Sequence, residues 1–507
     1  MNDLLVGLDL GTSAVKVGLF DATGRLLRLA RREYPLYTPR PGWAEQEPQE
    51  WWEATCTALR EALAEVDAGQ VAAVGLSGQT PGHVLVTADG TPLGRVIIWS
   101  DRRATAEAAW LARQVTPQQA RDWTGYPFIA EATLPPARLL WLKAHRPDDW
   151  ARCAAIVQPK DFIALRLTGR IATDRHSSFC LFNSQTGRYH PEYLELLGME
   201  PDKMPPVLAP TEVVGHVRPE AATATGLAVG VPVVTGTIDA WCDIIGCGGI
   251  VPGRAVDVAG TSEVVALVTD GPAEGKGVFS SPLLEGLYWV GGPMQTGGGA
   301  LLWLLRGFYR EEAGFAQLED EASAVPPGAG GLLFLPYLRG ERAPVWDETA
   351  SGAFVGLTDR HTRAHCARAV YEGVAFAVQH VLSLAEGAAG LTATELRVCG
   401  GGSRSRFWNQ LKADVTGKRV LELQVAETAV LGAAMWAAVS IGLYPDMGTA
   451  AGRMVRVKAE LSPDFSLRSR YDELAALYQD LYSALQGTFA GLEAWRGRYE
   501  GGDHAHP

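Results

Sequence analysis

Short apolar runs recur along this chain, each closed by glycine, serine, threonine or aspartate. Residues 4–10 form the first, and after Gly11-Thr12-Ser13 a second follows at 15–20. The same order returns in the second half, with an apolar run at 255–259, then Gly260-Thr261-Ser262, then another at 264–268. The pattern predicts strand, tight turn, strand near the start of each half. Asp21-Ala22-Thr23-Gly24 predicts a hairpin turn into a further strand at 25–30. A helical period over 51–66 follows Pro48-Gln49-Glu50. Buried strands are expected at 71–76, 96–99 and 231–235. They run into Ser77-Gly78-Gln79, Ser100-Asp101-Arg102-Arg103 and Gly236-Thr237-Ile238-Asp239. Open α/β sheets bind ligands beyond such strand ends. In the second half, Gly297-Gly298-Gly299 precedes a helix at 300–305. A strand at 396–399 ends in Gly400-Gly401-Gly402-Ser403, and a helix follows at 406–416. Residues 429–444 read as a buried helix, too short to span a bilayer, and 461–496 as closing helices. The repeat predicts an α/β protein of two related domains, 1–248 and 249–507, that share a cleft and meet near 246–252.

Composition narrows the class. The 507 residues are 47% hydrophobic and 20% charged, which supports large cores and argues against global disorder. A net charge of −12 disfavours nucleic acid as a partner. The seven cysteines are dispersed and lack zinc spacing, so buried thiols in a reducing cytoplasm are expected. No basic segment opens the chain at Met1-Asn2-Asp3, so neither a signal peptide nor a membrane partner is expected. The tail 501–507 reads as disordered, with His504 and His506 in solvent.

The candidate chemistry sits at the turns. Asp9 precedes the first Gly-Thr turn and Lys16 follows it. An acid, turn amides, a hydroxyl and a lysine suit a magnesium–nucleotide site: Asp9 for Mg²⁺ or its waters, Gly11, Thr12 and Ser13 for phosphate oxygens, and Lys16 for developing charge. The phrase alone also suits a plain hairpin with an exposed lysine, and the second copy weighs toward phosphate. A P-loop is excluded, because its glycines open a helix and these open a strand. Asp239 is placed to cap a helix at 240–245, and equally to act as a general base on a substrate hydroxyl. Gln79, His83, Trp99, Asp101 and Arg102 form a polar and aromatic set suited to a polyhydroxylated ligand, or a loop with incidental polar residues, the reading favoured for His83 taken alone. The glycines at 298–299 and 400–402 suit either tight turns or close approach to a nucleotide.

At these residues the chain resembles the FGGY carbohydrate kinases of the actin, Hsp70 and hexokinase ATPase superfamily. Asp9-Leu10-Gly11-Thr12-Ser13 with Lys16 matches the first phosphate motif. The segment from Pro135 to Leu142 resembles one family signature, with Arg138 where Lys is usual. Gly352-Ala353-Phe354-Val355-Gly356-Leu357, with His365 and Ala369-Val370-Tyr371-Glu372, resembles the second, Cys366 departing from the usual aliphatic residue. Gly340-Glu341-Arg342-Ala343-Pro344 is also typical. The resemblance implies two actin-like, ribonuclease H-like domains around a cleft and ATP-dependent phosphorylation of a sugar or polyol. It implies Asp239 as catalytic base and Asp9 as the metal-linked carboxylate. Gly260 and Thr261 fall at the second phosphate turn, Gly298, Gly299, Gly401, Gly402 and Ser403 at nucleotide-facing turns, and Asn409 on the adenine side. It leaves room for a homodimer. Within the family the chain is most similar to xylulose kinases, through Ser77-Gly78-Gln79 and Gly260-Thr261-Ser262-Glu263. Those kinases carry Met-His after Ser-Gly-Gln, where this chain has Thr80-Pro81. Ribulose, glycerol, a tetritol or an aldonate are thus rival substrates. An actin-like or Hsp70-like ATPase and a non-enzymatic sugar sensor are rival functions.

Overall fold

The computed structural model describes residues 4–126, 128–310 and 314–499. The expectations for Met1-Asn2-Asp3 and for the tail with His504 and His506 lie outside these residues. The chain forms two units. The first comprises Met1–Gly246 with Ala429–Met454, and the second Cys247–Thr428 with Val455–Pro507.

In the first unit the sheet strands are β1 (Leu4–Leu10), β2 (Ala14–Asp21), β3 (Leu26–Glu33), β4 (Val71–Gly78), β5 (Val213–His216) and β6 (Pro232–Ile238). Their order is β5-β6-β4-β1-β2-β3. β1 pairs antiparallel with β2 and parallel with β4, and β4 pairs parallel with β6. β1 is buried almost throughout, as expected of a central strand covered on both faces. The hairpin turn forms as expected, with the Asp21 carboxylate accepting from the amides of Thr23 and Arg25. The strand expected at 231–235 runs on to Ile238. A register shift between Val234 and Thr237 takes up Gly236 as a bulge rather than as the strand's end.

The second unit repeats this plan. Its strands are β7 (Arg254–Ala259), β8 (Glu263–Thr269), β9 (Phe279–Leu284), β10 (Leu287–Met294), β11 (Glu395–Cys399), β12 (Arg419–Leu423) and β13 (Val457–Leu461). The order β9-β10-β8-β7-β11-β12-β13 holds the same six-strand arrangement, parallel where the first sheet is parallel, plus β9. The repeated Gly-Thr-Ser is therefore the same turn, joining the first two strands of each sheet. Helix Arg363–Ala389 is buried along most of its length within the second core.

The spatial units differ from the sequence division expected at 248/249 in one segment, because the helix Thr428–Ser440 packs onto the first sheet. A Cβ on Gly7 would lie 1.9 Å from the Val430 carbonyl oxygen, and one on Gly75 would lie 1.8 Å from that of Ala433. Only glycine lets helix and sheet backbones approach this closely. The closing segment is likewise one helix, Arg468–Tyr499, preceded by β13. All seven cysteines are free thiols. No helix among the described residues is long and apolar enough to cross a membrane.

Candidate active site

The first unit gathers its polar groups beyond the ends of β1, β4 and β6. Asp9 lies near the end of β1, buried, and accepts from the Ser77 hydroxyl at 2.9 Å. Lys16 stands opposite Asp9 in the β1–β2 register. In the turn between them, Gly11 N–H closes onto the Ala14 carbonyl, and Gly11 O accepts from the Tyr34 hydroxyl. Among the described residues, the amides of Thr12 and Ser13 take no partner, so both donors remain for an anion.

Asp239 opens the helix Asp239–Gly246, directly after β6. Its Oδ1 accepts from the Ala240 amide at 2.7 Å, which fixes the carboxylate at the helix start. The residue is half-buried. The crowding of the surrounding protein, then the charges of Asp9 and Asp243, holds its carboxyl well above the usual range, with the Ala240 amide and Lys16 pulling the other way. The result is a carboxylate more basic than a free aspartate, in reach of solvent.

Two side chains couple the expected sugar set to the phosphate turn. Trp99 Nε1 donates to Thr12 Oγ1 at 2.8 Å. Gln46 Nε2 donates to the Thr12 carbonyl at 2.6 Å, while its Oε1 accepts from Gln79 Nε2 at 2.7 Å. Gln46 has no sequence signature; it precedes a predicted helix and shows its part only in three dimensions. Arg102 is half-buried beside these groups in sequence.

Two of the expected sugar ligands are deeply buried. Asp101 is fully buried, and its two oxygens accept from Arg103 Nε and Nη2 and from the amides of Ala44 and Arg103. Its acceptors are spent on shaping the loop. His83 is 2% exposed, and burial, with Arg138 nearby, pushes its pKa down to about 3. It is a neutral ring inside the protein, and neither ring nitrogen has a hydrogen-bond partner.

In the second unit, Gly260 N–H closes its own turn onto Val258 and Ser262 carbonyls. Among the described residues the Thr261 and Ser262 amides take no partner, as in the first copy. The amides of Gly298 and Gly299 are engaged within the protein. They donate to the carbonyls of Gly260 and Thr261 at 2.9 and 3.0 Å, so these glycines seat the phosphate turn on the helix Gly298–Phe308. Beneath lies a buried cluster that no spacing announced: Lys412 pairs with both Asp257 and Glu263. Gly401, Gly402 and Ser403 form an accessible turn after β11. Asn409 is 1% exposed and donates to Ser403 O at 2.7 Å and to Glu422 at 2.9 Å. It braces that turn.

Residues 4–246 match the N-terminal domain of the FGGY family of carbohydrate kinases, and residues 255–441 match its C-terminal domain. The chain belongs to this family. It is similar to a xylulose kinase of Bacillus subtilis, at 30% identity over 97% of this chain and 99% of the other. It is also similar to an L-xylulose/3-keto-L-gulonate kinase of Escherichia coli, at 32% identity over 97% and 99%. A gluconate kinase from Lactobacillus acidophilus superposes with a TM-score of 0.88, at 26% identity over 96% and 99% of the two chains. As an FGGY carbohydrate kinase, this protein transfers phosphate from ATP to a sugar-type hydroxyl.

Proposed function

We propose that this kinase phosphorylates a hydroxyl of a ketopentose of the xylulose type, or of a closely related sugar acid or polyol, with Asp239 as general base. The observation that carries the reading is the placement of Asp239. It stands at a strand end, anchored by one backbone amide, with burial and two carboxylates raising its basicity. A carboxylate tuned upward takes a hydroxyl proton more readily as the new P–O bond forms. Trp99 and Gln79 lie on the sugar side, and Arg102 closes it. Thr12, Ser13 and Lys16 in the first unit, and Thr261 with the 401–403 turn in the second, serve the nucleotide.

Among the described residues, no three His, Cys, Asp or Glu side chains could hold a metal by themselves. A single buried carboxylate such as Asp9 fits magnesium, which takes most of its ligands from phosphate and water. When bound, the ion offsets charge on the transferred phosphoryl group.

The names of the relatives cover ketopentose, keto-acid and aldonate substrates, and Thr80-Pro81 stands at the sugar-side strand end. The test is ADP release across xylulose, ribulose, glycerol, tetritols and aldonates. With the best substrate, Asp239→Asn should lose about 10²-fold or more in kcat while sugar still binds. Near-normal turnover would remove Asp239 from the role. ATP hydrolysis unaffected by every sugar would remove the sugar-kinase reading.

A further inference from the structure

Two loops carry the sugar-side groups proposed above. One is Gln79-Thr80-Pro81-Gly82-His83 after β4; the other is Trp99-Ser100-Asp101-Arg102. One buried side chain joins them. Arg138, in the first turns of the helix Pro135–His145, is fully buried. Its Nη1 donates to the Pro81 carbonyl at 3.0 Å. Its Nη2 donates to the carbonyls of Trp99 at 2.6 Å and Asp101 at 3.4 Å. Among the described residues its guanidinium meets no carboxylate in an ion pair. A buried cation that spends its donors on backbone carbonyls is a costly arrangement for stability alone.

The first loop has few other ties. Gly82 N–H donates to Gln158 Oε1 at 3.0 Å, and Gln79 holds Gln46. The Thr80 hydroxyl, the Gln79 Oε1 and both His83 nitrogens are buried without a partner. The planar fork of Arg138 therefore sets how far the first loop stands from Trp99.

We propose that Arg138 is a positioning residue that sets sugar selectivity by fixing the spacing of these two loops. The inference rests on the reading of the loops as the sugar site. Lysine at 138 keeps the charge but reaches fewer of the three carbonyls, and methionine reaches none.

The test compares Arg138→Lys, Arg138→Met and the control Trp99→Phe in ADP release over the sugar panel, with KM measured for both substrates. Arg138→Met should raise the KM of the best sugar about tenfold and shift the ratio of kcat/KM between the two best sugars several-fold. Nucleotide KM should stay within about twofold, and Arg138→Lys should fall between. If Trp99→Phe moves sugar KM while neither Arg138 variant does, this inference fails and the sugar site stands. If none of the three moves it, the sugar-site reading fails as well. Sugar and nucleotide KM rising together would leave Arg138 a structural residue only and overturn the proposal. Should Arg138→Met not fold, the selectivity ratio of Arg138→Lys decides.

Discussion

Replacing Lys412 with methionine should make the stability of the protein steeply pH-dependent. Lys412 is 1% exposed, its ammonium pairs with Asp257 and Glu263, and it lies 4.3 Å from the Trp408 ring centroid. Methionine preserves much of the volume and removes the charge. Two buried carboxylates then face each other with no cation, and the cheapest remedy is to protonate one. Glu263 takes that proton, since burial and Asp257 already hold its carboxyl well above the usual range against the pull of Lys412. Neutralising a glutamate of ordinary pKa ~4.3 costs about 1.36 kcal/mol per pH unit above that value. The loss relative to the wild type is thus at most about 1.6 kcal/mol at pH 5.5 and about 5 kcal/mol at pH 8, and is smaller by whatever the wild type, with its own Glu263 already raised, loses over the same range. The sign follows from proton counting. The native variant binds more protons than its unfolded chain between the unfolded pKa and the raised native one, so stability falls as pH rises through that window. Urea unfolding followed by tryptophan fluorescence, wild type against Lys412→Met at both pH values, reads the difference. The double variant Lys412→Met/Glu263→Gln should lose the slope, because the amide donates to Asp257 without titrating. An equal loss at both pH values, or a loss under about 1 kcal/mol at pH 8, would refute the argument.

Other consequences are open to direct measurement. The acid limb of kcat/KM should lie above the pH of an unperturbed aspartate, because Asp239 must be ionised to act; Asp9→Asn, which removes a negative neighbour, should move that limb to lower pH whatever it does to the maximum rate. A limb that stays in place would separate Asp9 from Asp239 electrostatically. Gly75→Ala should destabilise by about 3 kcal/mol or more, since a Cβ there meets the Ala433 carbonyl at 1.8 Å and one of two backbones must shift; a melting temperature within a degree or two of wild type would contradict the packing. Gln46→Leu should slow turnover about tenfold and weaken both sugar and nucleotide binding, because it severs the Gln79–Gln46–Thr12 link; an effect on one substrate alone would show that the link carries nothing between them.

Much of this architecture could be read from residue order. The two Gly-Thr-Ser phrases marked the strand–turn–strand that opens both six-strand arrangements, and the alternation of apolar runs located β4, β11 and the helix Arg406–Thr416. What escaped the sequence has a common cause. A salt-bridged cluster such as Lys160 with Asp161 and Asp174, or Lys412 with Asp257 and Glu263, joins residues whose spacing carries no periodic signal. Asp101 looked like a ligand because it follows a strand; only the fold shows Arg103 folded back onto it. The 298–299 glycines announced a tight approach but not that their amides would hold the carbonyls of the Gly260-Thr261 turn. Local chemistry gave the type of residue at each strand end, and tertiary packing decided which of them still had donors and acceptors to offer.

The return of the helix Thr428–Ser440 to the first sheet has a consequence for how this chain can be made. The seats for that helix at Gly7 and Gly75 are synthesised early, and the helix itself arrives more than 350 residues later. As the chain leaves the ribosome, the first unit must wait with an uncovered apolar face until most of the second has been translated. A fragment ending at Gly246 would keep that face bare, and adding residues 429–454 as a separate peptide is the direct way to close it.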